Sequence, residues 1–255
     1  MIQRSIKFAL FALPLIVLGC QGKPSVSPVG SGGGGRRAAA GPEATATPQP
    51  SSESGASEAQ IVSKLLRSDD AEVRRWAAQR LLNHPELALE VVPAMGEALS
   101  DPDGEVRYWV ASTLSQVGPP AASVIPALTK CAQVDPMWAV RAECIKAVAR
   151  AAPTGEAAMP AILIGLADED AQVQSRSAFA LGQVERWEPD SVPALAKLLE
   201  DDRTYVRARA AESLGRVGPP AKSAVPALER LTQDTDAHVR LASSDALSKI
   251  RGEGG

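Results

Sequence analysis

The sequence predicts an all-α protein, a right-handed α-solenoid of about six two-helix repeats preceded by a disordered linker. Three markers carry that expectation. A Val, usually followed by Arg, returns at Val73, Val106, Val140, Val173, Val206 and Val239, at spacings of 33, 34, 33, 33 and 33 residues. An aliphatic-Pro pair keeps the same interval at Val92-Pro93, Ile125-Pro126, Met159-Pro160, Val192-Pro193 and Val225-Pro226. A Leu or Val stands eight residues after each Val, at Leu81, Leu114, Val148, Leu181, Leu214 and Leu247. Three markers in step, two over six copies and one over five, describe one supersecondary unit that buries its apolar face only by stacking on its neighbours.

The chain begins with an export-like segment. Arg4 and Lys7 precede an apolar run of 11 residues, Phe8–Leu18, which is too short to span a bilayer. The run ends in Val17-Leu18-Gly19-Cys20, which resembles the lipobox of bacterial lipoproteins. The resemblance implies a signal peptide over residues 1–19, an acylated Cys20 as the first mature residue, and a lipid anchor in the bacterial cell envelope. Two or three acyl chains hold firmly, at about 0.8 kcal/mol per buried CH₂. Gln21 after the Cys favours the outer membrane over the inner under the sorting rule of enteric lipoproteins.

Residues 20–57 form the tether. They are rich in Gly, Ser, Pro, Ala and Thr, with almost no large apolar side chain to offset chain entropy. A coil of that length has a typical span of roughly 35 Å. The repeat domain is expected over residues 58–251, with a flexible tail at 252–255.

Each repeat reads as two helices. In the fifth, Val192–Leu199 has helical apolar spacing with Pro193 in its first turn, and Asp201-Asp202 breaks it. The second helix runs from Val206 to Val217, with Val206, Ala210, Ala211 and Leu214 on one face. Gly218-Pro219-Pro220 ends it, Gly as a C-cap and Pro as a stop. Asp101-Pro102 and Asp135-Pro136 read as N-cap and first helical position of the second helices in their units.

The units resemble HEAT repeats, of the bacterial type also found in phycobilisome-lyase-like proteins. The resemblance lies in a Pro in the first helix, an Asp eight residues on and an Arg six residues further. Pro93, Asp101 and Arg107 match, as do Pro193, Asp201 and Arg207, and Pro226, Asp234 and Arg240. The third unit has one extra residue (Pro126, Asp135, Arg141), the fourth carries Gln174 for Arg, and the first lacks the Pro. Tetratricopeptide and ankyrin signatures are absent. The resemblance implies that Asp and Arg of neighbouring units form a ladder of ion pairs through these positions. As exposed pairs, each would contribute only about 0–1 kcal/mol.

Composition narrows the function. A net charge of −3 with both signs interspersed lacks the basic stripe of a nucleic-acid binder. His84 and His238 stand alone, without metal-ligand spacing, and no Gly-rich phosphate loop opens a helix. No catalytic set, metal or cofactor is expected, and the chain is expected to be monomeric. Cys131 and Cys144 align with apolar positions and are expected as buried thiols, a disulfide between them being the alternative.

The expected activity is protein binding. HEAT resemblance implies that second helices line the concave face, where positions three, six and ten after each Val point away from the core. The first row reads Trp76, Trp109, Glu143, Arg176, Arg209 and Ala242; Phe179 lies in the second and Arg216 in the third. Trp, Tyr and Arg are enriched at binding hot spots. Trp76, Tyr108, Trp109, Arg176, Arg209 and Arg216 are therefore the candidate partner-binding residues, the two Trp being equally suited to packing. The alternatives are a phycobilin-lyase-like enzyme or chaperone and a purely structural envelope organiser.

Overall fold

The computed structural model of the chain describes residues 57–252. The expected signal peptide, Cys20, nearly all of the expected tether and the last three residues lie outside the described residues. Helices account for every regular element among the described residues.

The units follow in order. Unit one has α1 (Glu58–Leu65) and α2 (Ala71–Asn83), followed by the short α3 (Pro85–Glu90). Unit two has α4 (Val92–Ala98) and α5 (Gly104–Val117), unit three α6 (Ile125–Val134) and α7 (Trp138–Ala151). Unit four has α8 (Met159–Leu166) and α9 (Ala171–Leu181), unit five α10 (Ser191–Leu198) and α11 (Thr204–Val217). Unit six has α12 (Val225–Leu231) and α13 (Ala237–Arg251). Second helices pack on second helices, α2 on α5, α5 on α7, α7 on α9, α9 on α11 and α11 on α13, and each also packs on the first helix of its own unit.

The repeating Val and its partners build the core. Val106, Val110, Ala111 and Leu114 are fully buried, as are Val206, Ala210, Ala211 and Leu214. Small side chains at these positions let neighbouring helices approach closely. Gly165 of α8 goes further: a Cβ there would lie 2.1 Å from Ser177 Oγ and 2.4 Å from Ile145 Cδ1.

The connections between units differ. Gly118 and Gly218 end α5 and α11 with φ of 69°, a backbone that side chains disfavour. The Pro-Pro pairs that follow do more than stop the helix, since Pro119–Val124 and Pro219–Ala224 each form a 3₁₀ turn leading into the next unit. The link from α9 to α10 is irregular, and Trp187 fastens it by donating Nε1–H to Leu181 O at 3.2 Å.

The second helices start later than the Asp-Pro pairs predict. α5 is capped by Asp103, whose carboxylate accepts from the N–H of Glu105 and Val106, and α7 begins after Met137. Asp101 and Asp135 sit two residues before those caps. Each accepts the backbone N–H two residues on, Asp103 N at 2.8 Å and Met137 N at 2.9 Å, so these carboxylates form the turn and are not the helix caps.

Their remaining lone pairs take the Arg of the preceding unit. Arg74 Nε donates to Asp101 Oδ2 at 2.7 Å, Arg107 Nε to Asp135 Oδ2 at 2.6 Å and Arg207 Nε to Asp234 Oδ2 at 2.9 Å. Arg141 Nη2 donates to Asp168 Oδ1 at 2.7 Å. Each guanidinium also returns Nη1–H to a carbonyl of its own loop, as Arg107 does to Asp101 O at 2.8 Å. Arg240, at the end of the series, keeps only such loop bonds among the described residues, to Asp234 O and Thr235 O. The four inter-unit pairs keep 3–12% of their side-chain surface, so the rungs are buried and not the exposed pairs the sequence suggests. Arg74 and Asp168 complete the series.

One rung is altered. Gln174 Nε2 still donates to Asp168 O at 2.7 Å, the loop half of the Arg pattern. Asp201, which an Arg at 174 would face, is instead held by Arg203 of its own loop, with Nη2 2.7 Å from Oδ2.

Candidate partner-binding face

Most of the positions three, six and ten after each Val face outward from the second helices, while Glu143 and Ala242 in the first row are buried. Along this face the structure treats the aromatic and basic halves differently.

In the aromatic half, Trp76, Tyr108 and Trp109 are half-buried and rest on the core cluster. Tyr108 and Trp109 meet edge to face, with centroids 5.3 Å apart and ring planes at 73°. Tyr108 lies two residues after Val106 and so turns toward α7. Burial raises the pKa of its hydroxyl, and the nearby Glu143 carboxylate adds to the rise against Arg176. These rings pack on the core and leave only part of their surface open.

In the basic half, side chains stand in the open and order one another. Phe179 of α9 is 41% exposed, and two guanidiniums from α11 lie over its ring, Arg209 at 5.0 Å and Arg216 at 5.1 Å. Gly182 makes room for this arrangement, since a Cβ there would come within 3.0 Å of Arg216 Cδ. One unit earlier, Arg176 lies over Trp138 at 5.9 Å, and Trp138 is 40% exposed. Both stacks are cation–π contacts between neighbouring units.

Each acidic group on this stretch already has cationic neighbours. Glu143 is buried beneath Lys146 at 3.0 Å and Arg176 at 3.1 Å, which explains how a carboxylate occupies a buried position in the first row. Glu212 accepts from Arg209 at 2.7 Å and faces His238 at 3.3 Å. Asp245 pairs with Lys249 at 2.6 Å. Arg150 and Arg216 have no ion pair or hydrogen bond from their side chains among the described residues.

Three of the predicted binding residues, Arg176, Arg209 and Arg216, thus share one surface, while Trp76, Tyr108 and Trp109 form a separate, more buried group. Phe179 and Trp138 were not singled out from the sequence. The signal for Phe179 was present: it is an aromatic residue at position six of α9, beside Arg at positions three and ten of α11. Trp138 lies two residues before Val140, outside the positions three, six and ten that follow each Val.

No group of three or more His, Cys, Asp or Glu among the described residues is arranged to hold a metal ion. No described helix is long and apolar enough to cross a membrane. Cys131 and Cys144 are both buried and free.

The family profile for HEAT repeats matches residues 58–151 and 159–248. The chain belongs to the HEAT-repeat family. Among solved structures, this HEAT-repeat chain is similar to a designed armadillo repeat protein in complex with the peptide (KR)4, at 18% identity and TM-score 0.62, over 76% of this chain and 100% of that one. It is also similar to an engineered protein at 20% identity and TM-score 0.61, over 77% of this chain and 100% of that one. Computationally designed armadillo repeat proteins for modular peptide recognition match at 17% identity and TM-score 0.56, over 74% of this chain and 98% of theirs. At these identities the likeness shows the fold alone. The search of curated proteins found no match.

Proposed function

We propose that this HEAT-repeat protein is a lipid-anchored interaction scaffold of the bacterial cell envelope, which binds a protein segment on its second-helix face and catalyses nothing. The observation that carries the binding role is the row of stacked, solvent-facing side chains on α7, α9 and α11: Trp138, Arg176, Phe179, Arg209 and Arg216. Held in place by neighbouring units, they lose little further freedom when a partner docks. Designed armadillo repeat proteins of similar fold recognise peptides, which supports a peptide-binding role for this fold. The anchoring role rests on Val17-Leu18-Gly19-Cys20 and the Gly- and Pro-rich segment after it.

Photo-crosslinking in intact cells from positions beside Phe179, with mass-spectrometric identification of the product, tests the scaffold. One dominant protein, lost in a Phe179→Ala/Arg209→Ala chain, is expected. Capture of none would point to the structural organiser. Cys20→Ser should abolish incorporation of labelled palmitate and move the protein from the membrane to the soluble fraction; continued membrane residence would refute the anchor.

A further inference from the structure

The basic half of the face runs against the charge of the chain that carries it. At positions three, six and ten of α7, α9, α11 and α13 there are six cations, Lys146, Arg150, Arg176, Arg209, Arg216 and Lys249, and three acids, Glu143, Glu212 and Asp245. Six minus three leaves +3, on a chain whose net charge is −3. All three acids are engaged by neighbouring cations, so the surplus resides in the guanidiniums.

Geometry concentrates that surplus. A guanidinium stacked on a ring keeps its N–H edges free, and its plane is fixed before anything binds. Arg209 and Arg216 both lie over one Phe179 ring; Arg209 gives one N–H to Glu212, whereas Arg216 lies across Gly182 with no carboxylate of its own and its N–H edges free. Arg150, two units away, is likewise without an acidic partner among the described residues. Adjacent packed helices are about 10 Å apart, so Arg150 and Arg216 are separated by roughly 20 Å, the length of about six residues of extended chain.

We infer that the Arg209–Phe179–Arg216 clamp, extended by Arg176 and Arg150, binds an extended acidic peptide segment of a partner protein. This inference rests on the scaffold reading and names the chemistry of its partner. Carboxylates fit the paired N–H edges of a guanidinium, and the open part of the Phe179 ring accepts an apolar side chain between acidic ones. A nucleic-acid strand or an anionic lipid surface fits less well. Glu212 and Asp245 are interleaved with the cations and would repel an unbroken run of phosphates, whereas a peptide can place neutral residues beside them.

The test is fluorescence anisotropy with the full chain and a fluorescein-labelled peptide of repeating Glu-Ser-Phe. A Lys-Ser-Phe peptide, single-stranded DNA and phosphatidylglycerol vesicles serve as comparators. The acidic peptide should bind in preference to all three and weaken as salt rises. Arg216→Ala and Phe179→Ala should each weaken it about tenfold, the range for a hot-spot side chain. Arg216→Lys should recover only part of the loss, because it keeps the charge without the fork. Lys222→Ala, an exposed cation on a 3₁₀ turn, should have no effect. Failure of the acidic peptide to bind, equal binding by the Arg216→Ala chain, or tighter binding of DNA or vesicles would overturn the proposal. Crosslinking in cells separates the two readings. A captured partner together with an inert acidic peptide leaves the scaffold and removes this partner chemistry, whereas no captured partner removes both.

Discussion

Arg107 of the second unit grips Asp135 of the third through two bonds, Nε to Oδ2 at 2.6 Å and Nη2 to Oδ1 at 3.0 Å. Asp135 simultaneously accepts the N–H of Met137 through Oδ1, so one carboxylate closes its own turn and joins it to the unit before. Asp135→Ala would leave the guanidinium buried without its carboxylate and release the turn. Full burial would place the cost at about 3–5 kcal/mol. Because Arg107 keeps its bond to Asp101 O and part of its edge reaches solvent, about 2–3 kcal/mol is expected. Urea unfolding measures it, and a loss below about 0.5 kcal/mol would show that the rung contributes nothing. Breaking one joint in a chain of nearest-neighbour interfaces should also split the transition into two phases.

The rung at Gln174 offers the converse experiment. Gln174 supplies the loop bond to Asp168 O but no charge, and Arg203 has taken Asp201. Gln174→Arg would place a fork where Arg74, Arg107, Arg141 and Arg207 have theirs. Since Arg203 already neutralises the acid, the gain should be modest, about 0.5–1 kcal/mol, read as a rise in Tm. In an Arg203→Ala background the same substitution should gain more, and the difference is the coupling between the two Arg.

How far the sequence reveals this arrangement depends on the range of the interaction. The Val and Leu markers report helix faces, a local property, and Val206, Ala210, Ala211 and Leu214 are all buried as their spacing requires. Asp101 and Asp135 mislead because Asp-Pro is a sound local cap signal, while their actual partners, Arg74 and Arg107, lie 27 and 28 residues away. For the same reason their burial could not be read. Trp76 and Trp109 fall on the predicted face, but both are half-buried against the core cluster, and a helical wheel contains no neighbour. Phe179 becomes conspicuous only when two Arg of the next unit close over it. Gly165 gives no signal at all, because its requirement is set by Ser177 and Ile145 in two other helices.

The acid limb of stability should depend on Asp103. Arg75 donates to its Oδ2 at 2.6 Å, and the N–H groups of Glu105 and Val106 donate to Oδ1. The Arg75 bond first, and then these backbone bonds, hold the carboxyl at about 2 against an ordinary 3.8. Asp201 and Asp234 are displaced in the same direction, chiefly by Arg203 and Arg207. A carboxyl whose folded pKa lies below its unfolded one stabilises the fold above the unfolded value and loses that contribution as pH falls toward the folded one. The urea midpoint should therefore drop between about pH 4 and pH 2. Asp103→Asn should lower the midpoint at neutral pH and flatten the decline below pH 4. An unchanged acid limb in this variant would refute the assignment.

The two repeat-domain cysteines provide a chemical check on the stacking. Cys144 lies fully within the joint formed by α7, and burial, then the neighbouring Cys131, pushes its thiol well above the usual range. Cys131 directs its Sγ toward Asp135 Oδ2 at 3.7 Å, the oxygen that also takes Arg107. Attack on an alkylating reagent requires the thiolate and access; burial denies access to both thiols in the folded chain, and at Cys144 it also disfavours the thiolate. A Cys20→Ser chain at pH 7 should therefore resist iodoacetamide while folded and label at both Cys131 and Cys144 once unfolded in guanidinium without reductant. Labelling of neither in the unfolded chain would mean that the pair is joined in a disulfide. Rapid labelling of the folded chain would mean that the joint between units two and three opens. In that case Asp135→Ala, which weakens the same joint, should accelerate the reaction further, so the alkylation rate and the urea midpoint must change together if the ladder is what keeps these thiols closed.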